Sequence, residues 1–137
     1  MKTVSLKTVS LKVVDLYQLF GSLSILYSQS CSDVTTTLRV LDIYNKVLLL
    51  MQETDATIHK TISDFSSKNS QGDPILNENG HPLLTDEIRK EYDGIMLELQ
   101  QSIKTLEITP LTSNDLEILE VSAKVMSDII PIVDFRA

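Results

Sequence analysis

One cysteine, Cys31, is all the thiol chemistry that this 137-residue chain carries. It excludes an intramolecular disulfide and a cysteine-based metal cage, and it fits a reducing compartment. The sequence has no glycine-rich phosphate loop, no nucleophile elbow and no histidine pair at metal spacing. Long apolar runs are missing too: the longest, Val47 to Met51, is far short of a bilayer span. The twelve Lys and Arg are scattered, whereas a groove that tracks phosphates needs them clustered, so direct binding of nucleic acid is not expected. Nineteen Asp and Glu give a net charge of −7, and they are dispersed, as suits solubility rather than mimicry of nucleic acid. The first residues alternate Lys with small and β-branched residues and lack the apolar centre of a signal peptide. A soluble, intracellular protein with no membrane contact and no cofactor is expected.

What remains is the material of architecture. At 42% hydrophobic and 23% charged, the chain suits one domain, 1–137, with its own core. The expected fold class is α+β, mainly α. It has four helices, two of them forming a long antiparallel helical hairpin, with short β-strands at the N-terminus, at the hairpin tip and before the last helix.

The chain opens with a direct repeat, Lys2-Thr-Val-Ser-Leu6 and Lys7-Thr-Val-Ser-Leu11. Thr and Val favour strands, and alternation puts Val9, Leu11 and Val13 on one face. The period is odd, so Val4 and Leu6 fall on the opposite face unless a bulge intervenes near Lys7. Such a segment is either an edge strand covering the core or an arm that pairs with a neighbouring subunit. A first helix starts at Asp15, with Gln18 at the capping-box position and Val14 and Leu19 as a staple. Its apolar residues Leu16, Leu19, Phe20, Leu23, Leu26 and Tyr27 recur at helical spacing.

The second helix, from about Asp33 to Ser67, changes character halfway. Val34, Leu38, Val40, Leu41, Ile43, Tyr44 and Val47 to Met51 make its first half apolar on nearly every side, which predicts burial all round. Its second half keeps the narrow stripe Ile58, Ile62 and Phe65. One heptad-like seam is Leu41, Tyr44, Leu48, Met51, Asp55, Ile58, Ile62 and Phe65. There Asp55 either fixes register or tilts outwards. These features predict a root, 1–51 and 96–137, and a projecting arm, 52–95.

Ile75-Leu-Asn-Glu-Asn-Gly-His-Pro-Leu-Leu84 predicts two short strands about an Asn-Gly turn, with Pro82 restricting the second to an edge. Its centre partly matches a calcium loop, but aligning Gly80 with the loop glycine puts Ile75 where the first carboxylate belongs. A third helix follows Thr85, with stripe Ile88, Tyr92, Ile95, Leu99, Ile103 and Leu106. Leu106 to Thr109 is extended. A fourth helix is announced by Thr112 as cap, Asp115 at the capping-box position and Leu111 stapling on Leu116. One face carries Leu116, Leu119, Ala123, Met126 and Ile130, and another Ile118, Val121, Val125 and Ile129. Pro131 ends this helix, and Ile132 to Phe135 can add a strand.

Of the remaining chemical groups, His59 lies beside Lys60 on the second helix and His81 in a loop. Cys31 stands between two serines near a helix start, but no histidine is near it in sequence, so a catalytic cysteine is not expected. The aromatics fall mostly on helix stripes, as core rather than as a base-stacking surface. No catalytic, cofactor or metal residue is assigned.

The Asn77-Glu-Asn-Gly80 turn between two long helices, and Leu106-Glu-Ile-Thr-Pro-Leu-Thr-Ser-Asn-Asp-Leu-Glu-Ile-Leu119 leading into the last helix, resemble a family of small proteins of tailed bacteriophages and prophages. The likeness covers most of the chain after Lys7. It implies a phage origin, a non-enzymatic role and a place in the host cytoplasm during infection or in the virion. Together with the apolar helices it predicts action by contact with itself or with other phage proteins, through Val4, Leu6, Ile118, Val121, Val125 and Ile129. The competing expectation is an inhibitor that binds a host enzyme or defence protein.

Overall fold

The first strand runs directly into the first helix, without the cap that the sequence suggests. Strand β1 is Lys7–Lys12 and helix α1 is Val13–Ser28. The N-cap is Lys12, which makes no side-chain capping bond, so the start lies ahead of Asp15. Val13, at 3% exposure, enters the core rather than extending the strand face, whereas Val14 stays half-exposed. Burial of an apolar side chain, about 1.5–3 kcal/mol, outweighs a capping bond of about 1 kcal/mol.

Residues 5–29 and 31–136 are described by this computed structural model. Helix α2 is Val34–Phe65, α3 is Asp86–Gln101 and strand β2 is Ile103–Ile108. Strand β3, Leu111–Thr112, leads into α4, Ser113–Ile118. Helix α5, Ala123–Ile129, continues through a 3-10 turn, Ile130–Ile132, to strand β4, Val133–Asp134. The fold is α+β and mainly α, with a long helix pair. Among the described residues it has five α-helices rather than four.

Two corrections account for the differences in element order. The third helix stops at Gln101, and Ile103 and Leu106 belong to β2, where β-branched Ile103, Thr105 and Ile108 outweigh the helical spacing. The last helix is also two helices. Ser122 accepts a hydrogen bond from the Val125 N–H and caps a new start, so the chain is extended between Ile118 and Ala123. Pro131 then sits in the 3-10 turn, where its missing N–H costs little.

The chain divides into two compact units, Met1–Met51 with Ile103–Ala137, and Gln52–Ser102. Residues 96–102, assigned to the root from sequence, fall in the second.

In the first unit β1 pairs antiparallel with β2, Val9 opposite Leu106, and β3 pairs parallel with β4. Val9 lies on the buried face with Leu11 packed beside it, so β1 covers this chain's own core. The core joins Leu16, Leu19, Leu23 and Leu26 of α1 to Val40, Ile43 and Val47 of α2, and to Ile108, Leu111, Ile129 and Ile132.

In the second unit the buried positions of α2 are Thr54 and Thr61, one residue before the expected seam positions Asp55 and Ile62. The same displacement holds in the first unit, where Val40, Ile43 and Val47 are buried in place of Leu41, Tyr44 and Leu48. Asp55 is exposed. Helix α3 has no fully buried residue, and Tyr92 meets Phe65 edge-on at 6.1 Å.

Between α2 and α3 the chain makes the same turn twice. Asn69 Oδ1 accepts from the N–H groups of Gln71 and Asp73, and Asn77 Oδ1 from those of Asn79 and His81. Each turn closes with a glycine at positive φ, Gly72 at 83° and Gly80 at 78°. The pattern Asn-x-x-Gly-x-Pro thus recurs from Asn69 to Pro74 and from Asn77 to Pro82. The backbone closes a ring on this period: the Ser67 N–H donates to Leu83, Ile75 to Ser67 and Leu83 to Ile75. Pairing at the two turns is confined to isolated bridges, Lys68 with Pro74 and Leu76 with Pro82, so the strands expected there are single bridges.

Candidate functional site: an outer face of helix α2

Asp33 caps the start of helix α2, its carboxylate accepting from the Thr36 N–H at 2.8 Å. From there its first half carries two opposite apolar faces. An α-helix turns by about 100° per residue. Thr36, Val40, Ile43 and Val47 therefore share the inner face, and all are buried. Val34, Leu38, Leu41, Asn45 and Leu48 recur at alternating spacings of four and three on the opposite side, with Leu49 on its flank. Val34 is 71% exposed, and Leu38 and Leu49 are each 58% exposed. The expectation of burial all round is therefore wrong within one chain. Val40, Ile43 and Val47 are taken up by the chain's own core, Leu41 and Leu48 are half-buried, and Val34, Leu38 and Leu49 are left exposed.

One border of the outer face is aromatic. Tyr44 is stacked between Phe20 and Tyr27 of α1, with ring centroids at 5.2 and 4.5 Å, and half of Tyr27 remains exposed. The other border is charged: Asp42 and Lys46 pair at 3.2 Å one turn apart, and Lys46 also donates to the Glu107 carbonyl. A cleft of about 330 Å³ opens beside the face, lined among others by Leu26, Tyr27, Cys31, Leu41 and Leu119. Its far wall is fixed by Gln29, which donates to the Glu120 carbonyl and accepts from the Glu120 N–H.

The helix is held in place at its start by a carboxylate from another part of the chain. Asp115 closes the capping box of α4, accepting from the Thr112 N–H at 2.8 Å while its own N–H donates to Thr112 Oγ1. The same carboxylate accepts from the Thr36 hydroxyl and, at 2.9 Å, from Arg39. Burial pushes the Asp115 carboxyl up. The donors Thr36, Thr112 and Arg39 and the charge of Arg39 prevail over it and leave the group below its ordinary value. It stays ionised at neutral pH and serves as a structural tie. In the second unit, burial and then the Asp93 carboxylate push the Tyr92 phenol up.

The contact residues expected from sequence are not brought together. Val125 and Ile129, at 3% and 0% exposure, are core, because the helix expected to carry them is broken and α5 packs against α1. They are core residues and not interface residues. Val121 is half-buried against the same core. Ile118 at 39% and Leu6 at 61% are exposed, and Val4 lies outside the described residues. The outer stripe of α2 is present in the sequence as an unusual number of apolar residues, which on composition alone reads as burial.

His59 and His81 are both exposed. Among the described residues no group of His, Cys, Asp and Glu is placed to hold a metal ion, and no helix is long and apolar enough to cross a membrane. Comparison with protein-family models, with curated proteins and with solved structures finds no match.

Proposed function

We propose that this chain is a non-enzymatic bacteriophage protein that acts by protein–protein contact, as a virion component or an assembly factor. The observation that carries the contact role is the outer stripe of α2, where Val34, Leu38 and Leu49 stand exposed on a helix already anchored by its opposite face. Contiguous exposed apolar surface of this kind is typical of interaction sites. The phage setting rests on the resemblance of the Asn77–Gly80 turn and the Leu106–Leu119 segment. The partners are other phage proteins or a second copy of the chain.

Mass spectrometry of purified particles against infected lysate tests the virion arm. Enrichment in particles supports a virion component, and presence only in assembly intermediates supports an assembly factor. Recovery from lysate in complex with a host enzyme, and from neither particles nor intermediates, would replace this proposal with that of an inhibitor.

A further inference from the structure

The outer stripe of α2 is self-complementary about its centre. Asn45 stands exposed in the middle of the stripe, and an amide carries both donors and an acceptor, so it can pair with its own copy. Four residues before it is Leu41 and four after it is Leu49. In an antiparallel pair about a two-fold axis, a residue ahead of the axis faces the one equally far behind it on the second copy. An axis at Asn45 therefore sets Leu41 against Leu49 of the second copy, twice. It also brings Asp42 within a turn of Lys46 of the second copy, on the same flank of the stripe. Those two side chains are about half-exposed, and an ammonium has three donors, enough for Asp42 on its own helix, the Glu107 carbonyl and a carboxylate across the interface. An axis one turn earlier, at Leu41 or Asp42, would instead set the Asp42 carboxylates against each other.

We propose that two copies of this chain associate antiparallel through the outer faces of α2, about an axis at Asn45. This rests on the reading of that face as a contact surface and names its occupant. A polar Asn within an apolar seam selects one register at some cost in stability, and here it would meet only its counterpart. The unlike charges of Asp42 and Lys46 select the same register and the antiparallel direction.

The test uses the full chain and measures its mass by sedimentation equilibrium at about 50 µM, where a micromolar dimer is populated. Twice the chain mass of 15.3 kDa is expected. Leu49→Asp should weaken association by about a hundredfold, as for a residue at the centre of an interface, while its far-UV circular dichroism stays that of the parent. The register is read by disulfide cross-linking of folded protein in a Cys31→Ser background. Asn45→Cys should cross-link to itself, and Leu41→Cys should cross-link to Leu49→Cys when the two are mixed. Leu38→Cys should not cross-link to itself, because the two copies of position 38 would lie about 21 Å apart along the axis, beyond the roughly 7 Å a disulfide spans between Cα atoms.

A monomer at 50 µM would overturn the proposal, as would a dimer indifferent to Leu49→Asp, or self-linking at position 38 as ready as at 45. Loss of folding in Leu49→Asp would show that the face is core, and would overturn it equally. A monomeric chain that is still enriched in particles would remove the second copy and leave the contact role standing.

Discussion

Thr36 and Asp115 stand 79 positions apart in the chain, and the Thr36 hydroxyl donates to the buried Asp115 carboxylate. Through this bond, and through Arg39 one turn later, the start of α2 is tied to the capping box that starts α4. The relationship fixes the rotation of α2 about its own axis. With Thr36 turned inward, Val40, Ile43 and Val47 follow it into the core, and Val34, Leu38 and Leu41 are turned out.

Removing the carboxylate should therefore cost more than a helix cap. Asp115→Ala keeps the backbone bond to Thr112 Oγ1 but leaves the Thr36 hydroxyl and the Thr112 N–H unpaired, each about 1–3 kcal/mol when buried. A total loss of about 2–6 kcal/mol is expected in urea melts, with Asp115→Asn intermediate. A loss under about 0.5 kcal/mol would mean that the tie is incidental.

The same group gives a pH dependence of defined sign. Its carboxyl in the folded chain lies below the ordinary 3.8. The stability it contributes is thus fully present above that ordinary value and is lost as pH falls through the lower folded one. Urea melts at pH 3 and pH 7 should show a smaller difference for Asp115→Asn than for the parent. An equal difference in the two proteins would assign the acid sensitivity to other carboxylates.

Ile129 and Ile118 separate core from surface on what the sequence presented as one helix face. Ile129→Ala empties a fully buried site and should cost about 2–5 kcal/mol, whereas Ile118→Ala should cost well under 1 kcal/mol. Thermal melts of the two variants decide this. Equal costs would mean that α4 and α5 form the continuous helix after all.

The repeated turn predicts repeated costs. A Cβ at Gly72 or Gly80 would meet nothing within 4 Å, so Gly72→Ala and Gly80→Ala should each cost only the backbone strain of a positive φ, about 1–2 kcal/mol. Amide exchange at Ile75 and Leu83, whose N–H groups close the ring, should speed up in both variants. An effect confined to Gly80→Ala would show that the turn at Asn69 is not held by the same bonds.

Much of this was legible wherever the signal was local. Thr112 with Asp115, Pro131 and Asn79-Gly80 each act within a few residues, and the spacing of Leu16, Leu19, Leu23 and Leu26 needs only one helix. The failures arose where two local signals conflicted or a distant one decided. Ile103 and Leu106 continue the helical period of α3, yet β1 supplies a pairing partner that helix spacing cannot reveal. The break before Ala123 has neither glycine nor proline, and Ser122 was its one visible cue. The partners of Asp115 on α2 were beyond any motif, since the capping box accounts for that residue by itself. The earlier turn at Asn69 was readable, because Asn69 to Pro74 repeats the spacing of Asn77 to Pro82. For the contact surface, the sequence showed too many apolar residues on α2 but not which of them a distant carboxylate would turn outward.

Helix α2 has an inner face that holds the fold and an outer face proposed to hold a partner. A matched pair of truncations, Ile43→Ala inside and Leu38→Ala outside, tests it most directly, with urea stability and association measured on both. Ile43→Ala should lose about 2–5 kcal/mol of stability. Leu38→Ala should stay within about 0.5 kcal/mol of the parent and associate more weakly. Equal losses of stability in the two, with association unchanged in Leu38→Ala, would mean that α2 has no separate outer contact face.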